Sequence, residues 1–152
     1  MADFSMSRAT TVDAPPERVH ALVDDFHEWQ RWSPWEGLDP ELRRTFTGPE
    51  KGVGSHYAWA GNKKAGEGTM EITSSTPTHV EVDLRFLKPF KATNVTRFDL
   101  APLDSGTRVT WTMTGERSAV MSLMGKLFFD KAIGADFEKG LASLKAEAER
   151  TA

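Results

Sequence analysis

Two stretches of this chain alternate residue by residue between apolar and polar side chains, and their spacing allows few folds. Val80, Val82, Leu84 and Phe86 alternate with Glu81, Asp83 and Arg85, and Val109, Trp111 and Met113 alternate with Arg108, Thr110 and Thr112. A period of two describes a β-strand with one wet and one covered face. Similar short runs, each bounded by glycine, proline or polar turns, predict strands over Leu42–Phe46, Ser55–Ala60, Gly68–Thr73, His79–Phe86, Thr93–Leu100 and Thr107–Thr114. A weaker alternation over Phe4–Val12 adds a seventh, first in the chain. The connections among the last six are far shorter than the dozen or so residues a parallel crossover needs, so these strands must form an antiparallel meander.

The face to be covered needs a partner, and the last segment supplies one. From Ala119 to Ala148 the residues Val120, Leu123, Met124, Leu127, Phe128, Phe137, Leu141 and Leu144 fall largely on one stripe of a long helix. Gly134 and Gly140 weaken that helix, each by about 1 kcal/mol relative to alanine, and a bend near Gly134 is expected. Between the first two strands, residues 15 to 33 fit a helix, a kink and a second helix. Asp13 is the expected N-terminal cap near Pro15 and Pro16, followed by Val19, Leu22, Val23 and Phe26 at helical spacing. Three of the five tryptophans follow at once: Trp29, Trp32 and Trp35. Pro34 drives Ser33 out of the α region and ends the helix there. Parity and that stop assign Trp29 to packing, and send Trp32 and Trp35 toward the space between helix and sheet.

Composition excludes several functions. At 152 residues, with 39% hydrophobic and 27% charged residues, the chain suits one domain with a sizeable core. A net charge of −3 supplies no broad positive field, so nucleic acid is not an expected partner. No apolar run reaches the ~18 residues of a membrane span, and the first residues lack the apolar stretch of a signal peptide, so a cytoplasmic protein is expected. The absence of cysteine removes disulfides, thiolate catalysis and Cys-ligated metal centres. His20, His27, His56 and His79 are scattered without metal-ligand spacing, and neither a metal nor another cofactor is expected.

The order of strand, two short helices, six antiparallel strands and a long C-terminal amphipathic helix is the helix-grip arrangement, an α+β fold. The sequence resembles the START-like (SRPBCC) superfamily, and within it the polyketide cyclase/dehydrase branch. The resemblance rests on Ala14-Pro15-Pro16-Glu17-Arg18-Val19, Trp29-Gln30-Arg31-Trp32-Ser33-Pro34-Trp35, Gly52-Val53-Gly54-Ser55, Gly106-Thr107-Arg108-Val109-Thr110-Trp111, and Asp136-Phe137-Glu138-Lys139-Gly140-Leu141 with Leu144-Lys145. It spans nearly the whole chain as a single START-like domain. What it implies is a deep apolar cavity between sheet and long helix. The superfamily holds ligand carriers, cyclases, hydrolases, oxygenase subunits and chaperone activators, so the fold names no reaction.

Motifs carrying chemistry are sparse. Gly52-Val53-Gly54 precedes a strand and lacks a third glycine, and Gly61-Asn62-Lys63-Lys64-Ala65-Gly66 lacks the ending of a P-loop, so both read as backbone turns. Asp24 and Asp25 are adjacent on a helix, point apart and are assigned to the solvated face. No Gly-x-Ser-x-Gly elbow occurs. General acid/base chemistry needs no motif, and its candidates are His56, Tyr57 and Glu71. Of these, parity turns only Tyr57 inward, on the face of Trp59. A core tyrosine with a backbone partner is the competing reading. Asn94 and Thr96 share parity with Phe98 and Leu100, which puts two polar groups on the inner face, either to orient a ligand's oxygens or because that end of the strand nears solvent.

Three functions compete. The first is a binding protein for a small apolar or aromatic, lipid- or polyketide-like molecule. Its cavity would be lined by Trp32, Trp35, Tyr57, Trp59 and Phe86, with Asn94, Trp111, Met113, Met124 and Phe128 completing the wall. The second is a cofactor-free cyclase/dehydrase-type enzyme with Tyr57 as its acid/base residue, assisted by Asn94. The third is an interaction module of the chaperone-activator kind. Met121, Met124, Phe128 and Phe129 exceed what one helical stripe accommodates, and the surplus offers a surface for a homodimer.

Overall fold

The computed structural model describes residues 3–33, 41–61, 66–88, 92–116 and 126–150. The elements run β1 (Asp3–Val12), α1 (Pro16–Val23), α2 (Phe26–Trp29), β2 (Arg43–Thr47), β3 (His56–Ala60), β4 (Glu67–Thr76), β5 (His79–Lys88), β6 (Ala92–Leu103), β7 (Gly106–Glu116) and α3 (Lys126–Arg150). All seven strands form one antiparallel sheet in the order β1-β7-β6-β5-β4-β3-β2. This is the expected α+β helix-grip arrangement: a meander from β2 to β7, closed by β1 on the far edge of β7. The α1 and α3 helices cover one face of it.

Several strands outrun their expected ends. β4 continues to Thr76 and β6 to Leu103, because Pro77-Thr78 and Asp104-Ser105 make two-residue hairpins that carry pairing to the turn itself. Apolar alternation fades there, and with it the sequence signal. α3 is continuous through Gly134 and Gly140, with Phe137, Gly140, Leu141, Leu144 and Ala148 as its buried stripe. The expected start near Ala119 lies outside the described residues.

Two local readings are corrected. Asp13 does not cap α1: Pro15 occupies the cap position, which has no side-chain cap, and Pro16 opens the helix. The Asp13 backbone N–H instead donates to Glu149 at 2.8 Å, which ties the β1–α1 turn to α3. Asp24 is buried rather than solvated. Its carboxylate accepts a 2.5 Å hydrogen bond from Ser75 Oγ, and Ser75 Oγ also lies 3.1 Å from His20 Nε2. Ser75 reaches it because β4 is bulged: Ile72 pairs with Val82 but Ser74 with Glu81, leaving Thr73 as an extra residue. The bulge puts Ser75 opposite Val80 and on the inner face, where unbroken alternation from Ile72 would have turned it outward.

The tryptophan segment is anchored by the end of α1. A helix leaves its last carbonyls without intrahelical partners. Here Trp32 Nε1 donates to Leu22 O and Trp29 Nε1 to Val23 O, each at 2.9 Å. The indoles thereby terminate α1 and lie between it and the sheet. Burial does not separate the two rings, at 3% and 2% exposure, so the expected division between Trp29 and Trp32 is absent. Trp35 lies outside the described residues.

Candidate functional site

Cross-strand register sorts the inner face into rows. One row runs Phe46, Tyr57, Met70, Leu84, Asn94, Gly115 across β2 to β7. The next, toward the bulged end, runs Ile72, Val82, Thr96, Met113 and Met6. Beyond it lie Val80, Phe98 and Trp111. On the other side are Trp59, Gly68 and Phe86. Face and position for each expected site residue on the strands thus follow from the pairing alone.

The Val80 end is packed solid. Trp111 stacks on Phe137 of α3 at 4.2 Å between centroids and 7° between planes, and on Phe98 at 5.0 Å and 28°. Trp32 meets both Phe98 and Trp111 edge-on, at 5.7 and 5.6 Å. Trp29 adds contacts to Phe98 at 5.7 Å and Trp32 at 4.8 Å. Offset and edge-to-face pairs at these separations are the favoured aromatic geometries, each adding about 0.5–1.5 kcal/mol beyond area burial. The structure therefore brings Trp32 and Trp111 together, inside an aromatic stack.

The other end is built differently. Trp59 and Phe86 are only partly buried and meet edge-on at 5.9 Å. The Trp59 ring lies across Gly68, where any Cβ would collide with it and with the Arg85 carbonyl. Gly115 does the same for Asn94: a Cβ there would overlap the carboxamide oxygen. A glycine inside a strand often marks such close approach, and this was the available signal for two positions that the residue patterning passed over.

Between these ends sit Asn94 and Thr96, 4% and 2% exposed. Asn94 Oδ1 and Thr96 Oγ1 are fully buried and have no hydrogen-bond partner among the described residues. The competing expectation, that this end of β6 simply nears solvent, is overturned by that burial. Met113 is buried beside Thr96. Tyr57 is buried and held among rings, 5.8 Å from Phe26, 5.1 Å from Phe46 and 6.2 Å from Trp59. Three strand spacings separate Tyr57 from Asn94 along their row, about 14 Å between Cα atoms at ~4.8 Å per strand. The two cannot act on one atom; they can only hold opposite ends of a molecule. Met124 and the Phe128 side chain lie outside the described residues.

Two charged clusters lie off the row of Asn94, one on α3 and one on the outer face of the sheet. Glu147 of α3 is buried but faces Arg150 and, at 3.5 Å, Arg31. The Arg150 hydrogen bond chiefly holds its carboxyl below the usual range. On the opposite face of the sheet, His79 bonds Asp99 at 2.9 Å and lies 3.4 Å from Glu81; the Asp99 bond is the main cause of its raised pKa. Among the described residues no group of three His, Asp or Glu side chains could hold a metal ion, and no helix is long and apolar enough to cross a membrane.

A family model described as polyketide cyclase / dehydrase and lipid transport matches residues 1–149. The chain belongs to this family. This is the SRPBCC-type polyketide cyclase/dehydrase family expected from the sequence motifs. No curated protein matches the chain. Among solved structures, a protein from Arthrobacter aurescens is 25% identical, with a TM-score of 0.64 over 93% of this chain and 86% of that one. The Aha1 dimer from Colwellia psychrerythraea is 17% identical, with a TM-score of 0.69 over 96% of each chain. DynU16, a putative protein of the dynemicin biosynthetic locus, is 14% identical, with a TM-score of 0.63 over 93% of this chain and 46% of that one. The last two likenesses extend to the fold.

Proposed function

We propose that this protein binds a small apolar or aromatic molecule against the inner face of the sheet, between the Trp59–Phe86 end and the aromatic stack. The observation that carries this reading is the Asn94–Thr96 pair. Native proteins pair nearly all buried polar atoms, and an unpaired one costs about 1–3 kcal/mol. Two such atoms on one strand, on a face otherwise lined by Leu84, Val82 and Met113, are what an oxygen-bearing ligand would satisfy. Family membership supports the same class of function, lipid transport or cyclase chemistry. Trp59 and Phe86 form the apolar wall, Met113 the floor beside Thr96, and Trp32 and Trp111 the rigid backing behind it. Trp35, Met124 and Phe128 remain proposed wall residues on the sequence pattern.

The test is intrinsic tryptophan fluorescence together with native mass spectrometry, titrating polycyclic aromatics and long-chain alcohols. Saturable quenching and a one-to-one mass adduct at micromolar concentration are expected. Absence of both across the panel would sink the reading.

A second reading is favoured by one observation. Tyr57, the only tyrosine, is buried on the inner face and shares a row with Asn94. In a cyclase-type reaction its hydroxyl would exchange a proton at one end of a folded chain while Asn94 Oδ1 accepts from an enol hydroxyl at the other. Tyr57→Phe would then abolish turnover and leave affinity within about twofold; unchanged turnover removes Tyr57 from the chemistry.

A further inference from the structure

Which molecules the inner face accepts is constrained by what surrounds Asn94 and Thr96. The cross-strand neighbours of Asn94 are Leu84 and Gly115, and those of Thr96 are Val82 and Met113. Their neighbours along β6 and on the diagonals, Phe98, Val80, Trp111 and Phe86, are equally uncharged. The cations of inward parity among the described side chains stand on the two edge strands. Arg8 on β1 is exposed and donates to Ser7 O, and Arg44 on β2 lies four strands from β6, roughly 19 Å at ~4.8 Å per strand.

From this we infer that the site selects a neutral, oxygenated ligand, an apolar molecule bearing a hydroxyl or keto oxygen, and rejects the ionised carboxylate of the same skeleton. The inference rests on the binding reading above and specifies its ligand. Asn94 Oδ1 only accepts while Thr96 Oγ1 both donates and accepts, so a ligand hydroxyl can pair with either and a keto oxygen with Thr96 alone. Neither neutralises a charge. An anion brought to this point loses its hydration without gaining a counter-ion from the described side chains, which is far costlier than burying a paired hydroxyl. A hydrocarbon without oxygen would enter but leave Asn94 Oδ1 and Thr96 Oγ1 as they are, forgoing the net gain of a hydrogen bond. Gly115 contributes by leaving room for the Asn94 carboxamide to lie low over β7, so that a flat ring can pass above it.

Three probes of one skeleton separate the cases: naphthalene, 2-naphthol and 2-naphthoate, titrated at pH 7 by tryptophan fluorescence. The expected order is 2-naphthol tightest, by roughly tenfold over naphthalene for one well-made hydrogen bond, with 2-naphthoate weakest. Thr96→Val, which keeps side-chain shape, and Asn94→Leu should each bring the naphthol-to-naphthalene ratio toward one. Circular dichroism checks that each variant is folded. Equal binding of all three by the wild-type protein, or tightest binding of 2-naphthoate, overturns this inference and leaves the binding reading standing. An unchanged ratio in folded Thr96→Val and Asn94→Leu also overturns it. Failure of all three probes removes the binding reading and this inference with it.

Discussion

Strand β6 crosses two regions built on opposite terms. At Phe98 it enters a stack in which every large ring is buried and in contact, and both α2-side tryptophans have their N–H groups bonded. At Asn94 and Thr96, four and two residues earlier on the same face, it carries buried polar atoms with no partner among the described residues, and the Asn94 carboxamide lies against Gly115. One end spends its side chains on stability, and the other holds groups that cost stability. Functional sites are where a fold tolerates such a cost.

The sharpest way to break that contrast is to empty one ring from each end. Trp111→Ala should cost about 3–5 kcal/mol, as large-to-small changes in packed aromatic cores do. Trp59→Ala, at a partly buried site, should cost less than half as much. Urea denaturation measures both, and equal losses would show that the two ends are packed alike. Next comes Gly68→Ala. The added methyl must push aside the Trp59 ring and meets the Arg85 carbonyl, so a loss of about 1–3 kcal/mol and a shift in tryptophan emission are expected. A silent substitution would mean that Trp59 is not fixed by Gly68.

Two buried threonines give a finer test. Thr107 Oγ1 donates to Ala14 O at 2.8 Å, whereas Thr96 Oγ1 has no partner among the described residues. Thr107→Val should destabilise by about 1–3 kcal/mol, while Thr96→Val in the ligand-free protein should be neutral or stabilising by up to about 1 kcal/mol. Similar losses in both would place a hidden partner at Thr96. The smallest effect lies on the outer face, away from both ends. His79 has a raised pKa, so its contribution is complete below the ordinary histidine value of about 6.5 and is lost as pH rises through the folded value. Relative to His79→Gln, wild-type Tm should fall slightly on going from pH 6 to 8, by an amount matching no more than about 1 kcal/mol. Glu147 has the opposite sign: its lowered pKa gives stability present above about 4.5 and lost as pH falls through the folded value. A Glu147→Gln variant should therefore show a shallower loss in acid.

How much of this the sequence disclosed differs between the same two regions. Strand alternation and short connections were enough to place β2 to β7 in an antiparallel meander, since period and loop length act locally. The inward facing of Tyr57, Trp59, Asn94, Thr96 and Trp111 followed from parity. Parity says that a ring faces inward and cannot say whether the interior is filled there, so Trp32 and Trp111 read the same way as Trp59. Their difference comes from Phe137 and the α1 carbonyls, which lie far away in sequence. Asp24 was misread for a related reason: its partner Ser75 is 51 residues away, and only the bulge turns it inward.

That single extra residue in β4 behaves like a frameshift. Everything on the Ile72 side of Thr73 keeps one assignment of inside and outside, and everything on the Ser75 side keeps the reverse. Drawing Thr73 into regular pairing, with no residue left over, would therefore reach well beyond its own position. It would exchange the faces of the strand's end and withdraw Ser75 from Asp24 at the end of the first helix, whereas deleting Thr73 outright would leave Ser75 opposite Val80.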